Sequence, residues 1–213
     1  MKLYLSSYKF GNSPENLTSL ALDNRRAAIV MNAADVFGPE RRPQHIEANR
    51  AQLAELGFDG EELDLRNYFE KPDELVRVLG SYGLVWVVGG NAFVLRRAMH
   101  YSGFDKIVKE RVLEGSLVYA GFSAGAVVAT PTLRGLELDD DPNVIPDRYK
   151  SEVIFDGLGL VNYSIAPHYR SDHPESPIIE EVMQFFKDQT MPYMALHDGE
   201  AIVVDGDQTR IAR

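Results

Sequence analysis

Short apolar runs alternate with helix-like patterns along the 213-residue chain. Strands are predicted at residues 2–7, 27–32, 61–65, 84–90, 116–122, 159–167, 193–197, 201–205 and 209–212. Helices are predicted at residues 43–56, 72–79, 91–99, 104–114, 124–129 and 176–188. Strands that alternate with helices imply a mostly parallel, doubly wound sheet with helices on both faces. The length suits one domain over residues 1–213.

Individual residues support several of these boundaries. Residues 84–90 form an unbroken apolar run that ends in two glycines, as expected of a strand buried on both faces. Ser176 and Pro177 suit the N-cap and the first position of the last helix. Residues 130–157 contain three consecutive aspartates and show little periodicity, which predicts a long loop. Gly206 separates the last two strands, so a terminal hairpin is predicted.

A strand, a small-residue motif and a short helix meet at Gly121–Gly125, which fits the pattern G-x-S-x-G. In this context the motif predicts a nucleophile elbow, in which Ser123 lies at the tip of a sharp turn. The same glycines also suit a simpler interpretation, in which they only allow a strand and a helix to pack closely. In doubly wound sheets, sites lie at the carboxyl ends of strands, and Ser123 follows such an end.

Backbone amides near Ser123 are candidates for an oxyanion hole. The N–H of Ala124 lies at the start of the helix that follows the serine, where the helix dipole favours negative charge. The second donor is expected from the Gly89-Gly90-Asn91 turn, because its glycines leave the backbone free to present an N–H. This turn lacks the spacing and the lysine of a nucleotide-binding loop.

A serine hydroxyl needs a base to remove its proton, and the chain has five histidines. His168 follows a predicted strand and is the preferred base, while His173, in the same loop, is the competitor. Asp198 follows the next predicted strand and is the preferred acid that orients the base. Glu200 and Asp139 remain alternatives for the acid.

Composition and net charge exclude some kinds of chemistry and disfavour some partners. The chain contains no cysteine, which excludes disulfides, thiolate catalysis and cysteine-ligated zinc. A formal net charge of -10 disfavours nucleic acid and anionic membranes as partners. No apolar run approaches the roughly 20 residues of a membrane span, and the N-terminus resembles a strand, not a signal peptide. A cytoplasmic protein that is a monomer or a homodimer is therefore expected.

Four segments together resemble the peptidase E family. They are GGNAFVL at residues 89–95, GFSAGAVVATPTLR at 121–134, APHY at 166–169 and the DG turn at 198–199. The resemblance implies a class I glutamine-amidotransferase-like, flavodoxin-like three-layer sandwich and a serine peptidase without a cofactor or a metal. It implies Ser123 as nucleophile, His168 as base and the Asp198 position as acid.

The resemblance also implies an oxyanion hole at Gly90 and Ala124, and a dipeptidase that cleaves after an N-terminal aspartate. Related branches of the family cleave cyanophycin, an aspartate–arginine polymer. An aspartate side chain requires a cation, preferably arginine. Arg134 and Arg170 follow the nucleophile helix and the base, so they are candidates for substrate binding together with Asn91.

Hydrolysis of another acyl substrate on the same triad remains open, and so do two other classes of function. His168, Asp172 and His173 offer ligands for a divalent metal, although their spacing matches no H-E-x-x-H signature. A binding protein that has lost its activity is the second, since a fold does not determine a function.

Overall fold

The computed structural model describes residues 1–213 and contains two sheets. The strands are β1 Lys2–Ser6, β2 Arg26–Val30, β3 Asp59–Glu62, β4 Leu84–Val87, β5 Val118–Phe122, β6 Ser164–Ala166, β7 Tyr193–Ala195, β8 Ala201–Asp205 and β9 Gln208–Ala212. The helices are α1 Glu15–Leu20, α2 Arg42–Glu55, α3 Pro72–Leu79, α4 Ala92–Ser102, α5 Phe104–Leu113, α6 Ala124–Val127 and α7 Ser176–Asp188. Short 3₁₀ helices cover Asn32–Phe37, Leu65–Tyr68 and Leu136–Leu138.

The central sheet has seven strands in the order β3-β2-β4-β5-β1-β8-β9. The first five strands of this order pair in parallel, whereas β8 and β9 run antiparallel to their neighbours. The antiparallel pair of β8 and β9 confirms the predicted terminal hairpin. The mostly parallel, doubly wound sheet is therefore also confirmed.

The sheet is buried on both faces. In β4, Val85 and Val87 pack into one apolar cluster, while Trp86 between them packs into another. Leu17 of α1 and Leu53 of α2 belong to the cluster around Trp86. The other face is covered by α3 to α7. Because strand side chains alternate between faces, the unbroken apolar run of β4 supplies both layers of the core.

One predicted strand is wrong in its length and its sheet. Only Ser164–Ala166 of the predicted strand 159–167 is extended in a ladder, and it pairs in parallel with β7 in a separate two-stranded sheet. His168 and Asp198 therefore follow strands of this small sheet and not of the central sheet. None of the helices combines the length and apolar character that crossing a bilayer requires.

Candidate active site

Ser123 lies in a strained turn between β5 and α6. Its backbone has φ 48° and ψ −120°, a conformation that is rare for a residue with a side chain. Its N–H points back to the end of β1, 3.2 Å from the carbonyl oxygen of Ser6 and 3.1 Å from that of Ser7. This is the geometry of a nucleophile elbow, which exposes the serine hydroxyl above the end of the strand.

Close steric contacts require glycine at both glycine positions of the motif. A Cβ at Gly125 would lie 2.1 Å from the carbonyl oxygen of Val87, and one at Gly121 would lie 2.8 Å from the same atom. Helix α6 thus packs against the end of β4 at a distance that only glycine allows. The close packing is therefore confirmed, and it is compatible with an elbow, because it fixes the turn at Ser123.

Several backbone N–H groups near Ser123 have no hydrogen-bond partner within the chain. They include those of Gly90 and Ala124, the two residues predicted for an oxyanion hole. Gly90 has φ 139°, and a Cβ there would lie 2.4 Å from the carbonyl oxygen of Ala33. The turn after β4 therefore requires glycine at position 90, and it leaves this amide free to bind an anion.

His168 and Asp198 form a hydrogen-bonded pair. The Nδ1 atom of His168 lies 2.7 Å from Oδ1 of Asp198, and the imidazole is 1% exposed. The pairing of Ala166 with Ala195 in the small sheet brings the two following loops together. Burial lowers the pKa of His168 below its usual value, although the charge and the hydrogen bond of Asp198 act in the opposite direction. The lowered pKa favours the neutral imidazole, the form that a base needs.

The alternative acids predicted from the sequence, Glu200 and Asp139, form no hydrogen bond to His168. Glu200 forms a salt bridge with Arg213 and accepts a hydrogen bond from the N–H of His197. Asp139 makes no hydrogen bond to His168, and burial together with Glu175 raises its pKa to about 6. Asp198 is thus the carboxylate that contacts His168 Nδ1.

The metal alternative fits the geometry poorly. The side chains of His168, His173 and Asp198 offer ligand atoms within 4.8 Å of one another, but Asp172 does not belong to this group. The imidazole rings of His168 and His173 are stacked, with centroids 3.7 Å apart and planes 9° apart. Their in-plane lone pairs therefore lie in parallel planes and do not converge on one ion.

Ser123 and His168 line the same cavity of about 630 Å³. No hydrogen bond joins the Ser123 hydroxyl to the imidazole in this structure. Such contacts are often long in ligand-free enzymes and tighten when a substrate binds. The wall also contains Lys9 and Glu175.

Ser7 was missed by the sequence analysis. It follows β1, and its hydroxyl donates a hydrogen bond of 2.8 Å to Oδ1 of Asp198. The same hydroxyl accepts a hydrogen bond of 2.8 Å from the backbone N–H of His168. Ser7 therefore connects the central sheet to both members of the His168–Asp198 pair. The sequence position of Ser7 could have identified it, because Ser7 follows a buried strand and the same strand-end rule selected Ser123.

The residues predicted to bind the substrate do not line the cavity. Arg134 lies over the ring of Phe155, 4.6 Å from its centroid. Arg170 is exposed and pairs with Glu180. The side chain of Asn91 caps α4, where it accepts a hydrogen bond from the N–H of Val94 and donates one to the carbonyl oxygen of Asp141. The structure thus brings together five of the predicted site residues, which are Ser123, His168, Asp198, Gly90 and Ala124. The other three, Asn91, Arg134 and Arg170, lie outside the cavity wall.

Comparison with known proteins identifies a family and a fold. The model of peptidase family S51 matches residues 14–212. Peptidase E of Streptomyces coelicolor is 34% identical over 196 residues, which are 88% of this chain and 74% of that protein. A Drosophila melanogaster relative named "Probable alpha-aspartyl dipeptidase" is 30% identical over 164 residues, 75% of this chain and 62% of the relative.

A crystal structure from Listeria monocytogenes EGD-e, whose description assigns it to peptidase E, superposes with a TM-score of 0.79 at 25% identity. The superposition covers 100% of this chain and 98% of the Listeria chain. Fold and matches together define a serine-type peptidase on a class I glutamine-amidotransferase-like scaffold. The chain belongs to peptidase family S51, the family of peptidase E.

Proposed function

We propose that this serine peptidase is a dipeptidase that releases an N-terminal aspartate through a Ser123–His168–Asp198 triad and an acyl-enzyme. The observation that carries the proposal is the hydrogen-bonded His168–Asp198 pair, whose buried imidazole lines the same cavity as Ser123. The Drosophila relative's name supports the substrate class.

In the proposed reaction, Ser123 Oγ attacks the scissile carbonyl carbon while His168 Nε2 accepts the hydroxyl proton. The amides of Gly90 and Ala124 stabilise the oxyanion, each by a factor of roughly 10²–10³ in rate. His168 then donates its proton to the leaving amine. Water, deprotonated by His168, hydrolyses the ester and releases the N-terminal residue.

A panel of Asp-Leu, Glu-Leu and Ala-Leu tests the proposal, combined with a fluorophosphonate probe for the serine. We expect hydrolysis of Asp-Leu, weaker hydrolysis of the other two, and labelling of Ser123 located by peptide mapping. Equal hydrolysis of all three dipeptides would contradict the aspartate preference but not the dipeptidase activity. No hydrolysis and no labelling would contradict the dipeptidase and the triad.

Lys9 supplies the positive charge that an aspartate side chain requires. It is the only lysine or arginine on the cavity wall, and its ammonium lies 4.8 Å from the ring centroid of Tyr8. We therefore assign to Lys9 the role that the sequence analysis gave to Arg134 or Arg170. An exposed ion pair is worth less than a buried one, so the contribution is modest.

Replacing Lys9 by methionine is expected to lower kcat/KM for Asp-Leu by about tenfold, because one charge-assisted contact is lost. The value for Ala-Leu should stay within about twofold, and Lys9→Arg should keep the preference. Steady-state kinetics of both substrates measure this effect. Loss of the preference in Arg170→Met instead of Lys9→Met would show that the assignment is wrong.

Ser7 is expected to act as a positioning residue for the triad. Ser7→Ala removes the hydroxyl between Asp198 and the His168 backbone, so kcat should fall about tenfold and the free energy of unfolding by about 1–2 kcal/mol. Ser102→Ala is the matched control, because Ser102 is also buried and its hydroxyl both donates and accepts hydrogen bonds. The control should lose stability but no activity. An unchanged kcat in Ser7→Ala would exclude the positioning role.

A further inference from the structure

Glu175 is a carboxylate at the active site for which the proposed reaction has no role. It precedes α7, and its Oε2 atom lies 3.6 Å from Nε2 of His168 and 3.9 Å from Nδ1 of His173. No lysine or arginine forms a salt bridge with it. It is the only aspartate or glutamate on the cavity wall, since Asp198 contacts His168 from outside that wall.

The surroundings of Glu175 favour a positively charged ligand. Burial and the charge of Asp198 raise the pKa of Glu175 above its usual value. Burial and the charge of Glu175 in turn raise the pKa of Asp139 to about 6. A carboxylate that is partly desolvated and faces other carboxylates gains most when a cation binds to it.

The chemistry of a dipeptide places such a cation near the scissile bond. The α-amino nitrogen is separated from the scissile carbonyl carbon by one Cα atom, which corresponds to about 2.5 Å. A group that binds this ammonium must therefore lie within about 5 Å of the carbon that Ser123 attacks, if its hydrogen bond has ordinary length. The carboxylate of Glu175 is the candidate for this group, because it lines the same cavity as Ser123 and lies 3.6 Å from the Nε2 atom that takes the serine proton.

We propose that Glu175 binds the α-ammonium group of the substrate and so restricts this peptidase to the first residue of a peptide. The proposal rests on the proposed dipeptidase function and adds a specificity residue to it. Glu175 and Lys9 then bind opposite charges of one N-terminal aspartate, the ammonium and the side-chain carboxylate. Both residues line the cavity that contains Ser123.

The test compares aspartyl-leucine with succinyl-leucine, which is the same molecule without the α-amino group. In wild type, loss of this group should lower kcat/KM by about 10–100-fold, because one charge-assisted hydrogen bond is lost. In Glu175→Gln, kcat/KM for aspartyl-leucine should fall by a similar factor, while that for succinyl-leucine should stay within about threefold. Glu180→Gln, an exposed position on the helix that follows Glu175, is the matched control and should not change either value.

Three outcomes distinguish this proposal from the proposed function. Equal losses for both substrates in Glu175→Gln would mean that Glu175 acts through His168 and not on the ammonium, which would overturn the inference. Unchanged kinetics for both substrates would overturn it as well. Labelling of Ser123 by a fluorophosphonate needs no amine, so it should persist in Glu175→Gln. A wild type that neither reacts with this probe nor hydrolyses aspartyl-leucine contradicts the proposed function itself.

Discussion

Replacing Ser123 by alanine is expected to lower kcat for dipeptide hydrolysis by about 10⁴–10⁶-fold, because the acyl-enzyme can no longer form. Alanine meets the same backbone strain at φ 48° as serine, so the melting temperature should change little. Steady-state kinetics, fluorophosphonate labelling and thermal unfolding together measure the effect.

Ser116→Ala is the matched control for this prediction. Ser116 is exposed and lies before the opposite end of β5. Its replacement should leave both kcat and labelling unchanged. More than about one hundredth of wild-type kcat in Ser123→Ala would show that another group starts the reaction.

Replacing Asp198 by asparagine should lower kcat by about 10³–10⁴-fold while the fold is retained. The asparagine amide can donate to Nδ1 of His168, which moves the ring proton to Nε2, the atom that must accept the serine proton. The charge of Asp198 also raises the pKa of His168 against the effect of burial. Without this charge the pKa falls further below 6.5.

The direction of the pH effect follows from the role of a base. His168 must be neutral to accept a proton, so kcat/KM decreases as the pH falls through its pKa. In Asp198→Asn this acid limb should therefore move to lower pH while the plateau decreases. Asp207→Asn, in the turn between β8 and β9, is the control and should match wild type. An Asp198→Asn variant with kcat within threefold of wild type would place the acid elsewhere.

Strand ends explain why most of the candidate site was predictable. Ser123 and Gly90 each follow a buried strand of the central sheet, and a parallel sheet brings such ends to one edge. Their glycine-rich turns are visible in the sequence because backbone strain and close packing require glycine there. His168 and Asp198 were found by the same rule, although their strands form a second sheet of only three residue pairs.

Side chains in loops were not predictable in the same way. Arg134 and Arg170 follow the nucleophile helix and the base in sequence, yet they point to Phe155 and Glu180. Arg170 has φ 46°, a turn conformation that sequence patterns do not specify. Lys9 reaches the cavity from a loop after β1, far from Ser123 in sequence. Such contacts depend on how loops fold over the sheet, which local propensity does not determine.

The pairing of β1 links the site to the order in which the chain can fold. Residues 2–6 lie between β5 and β8, so the first strand has its partners at residues 118–122 and 201–205. Contacts this distant in sequence close late, since the entropy of the intervening loops must be lost first. Ser7, at the end of that strand, can reach Asp198 only after these pairings exist. We therefore expect the Ser7–Asp198 contact and the native strand order to form together, so a chain whose first strand is unpaired should lack the complete candidate site.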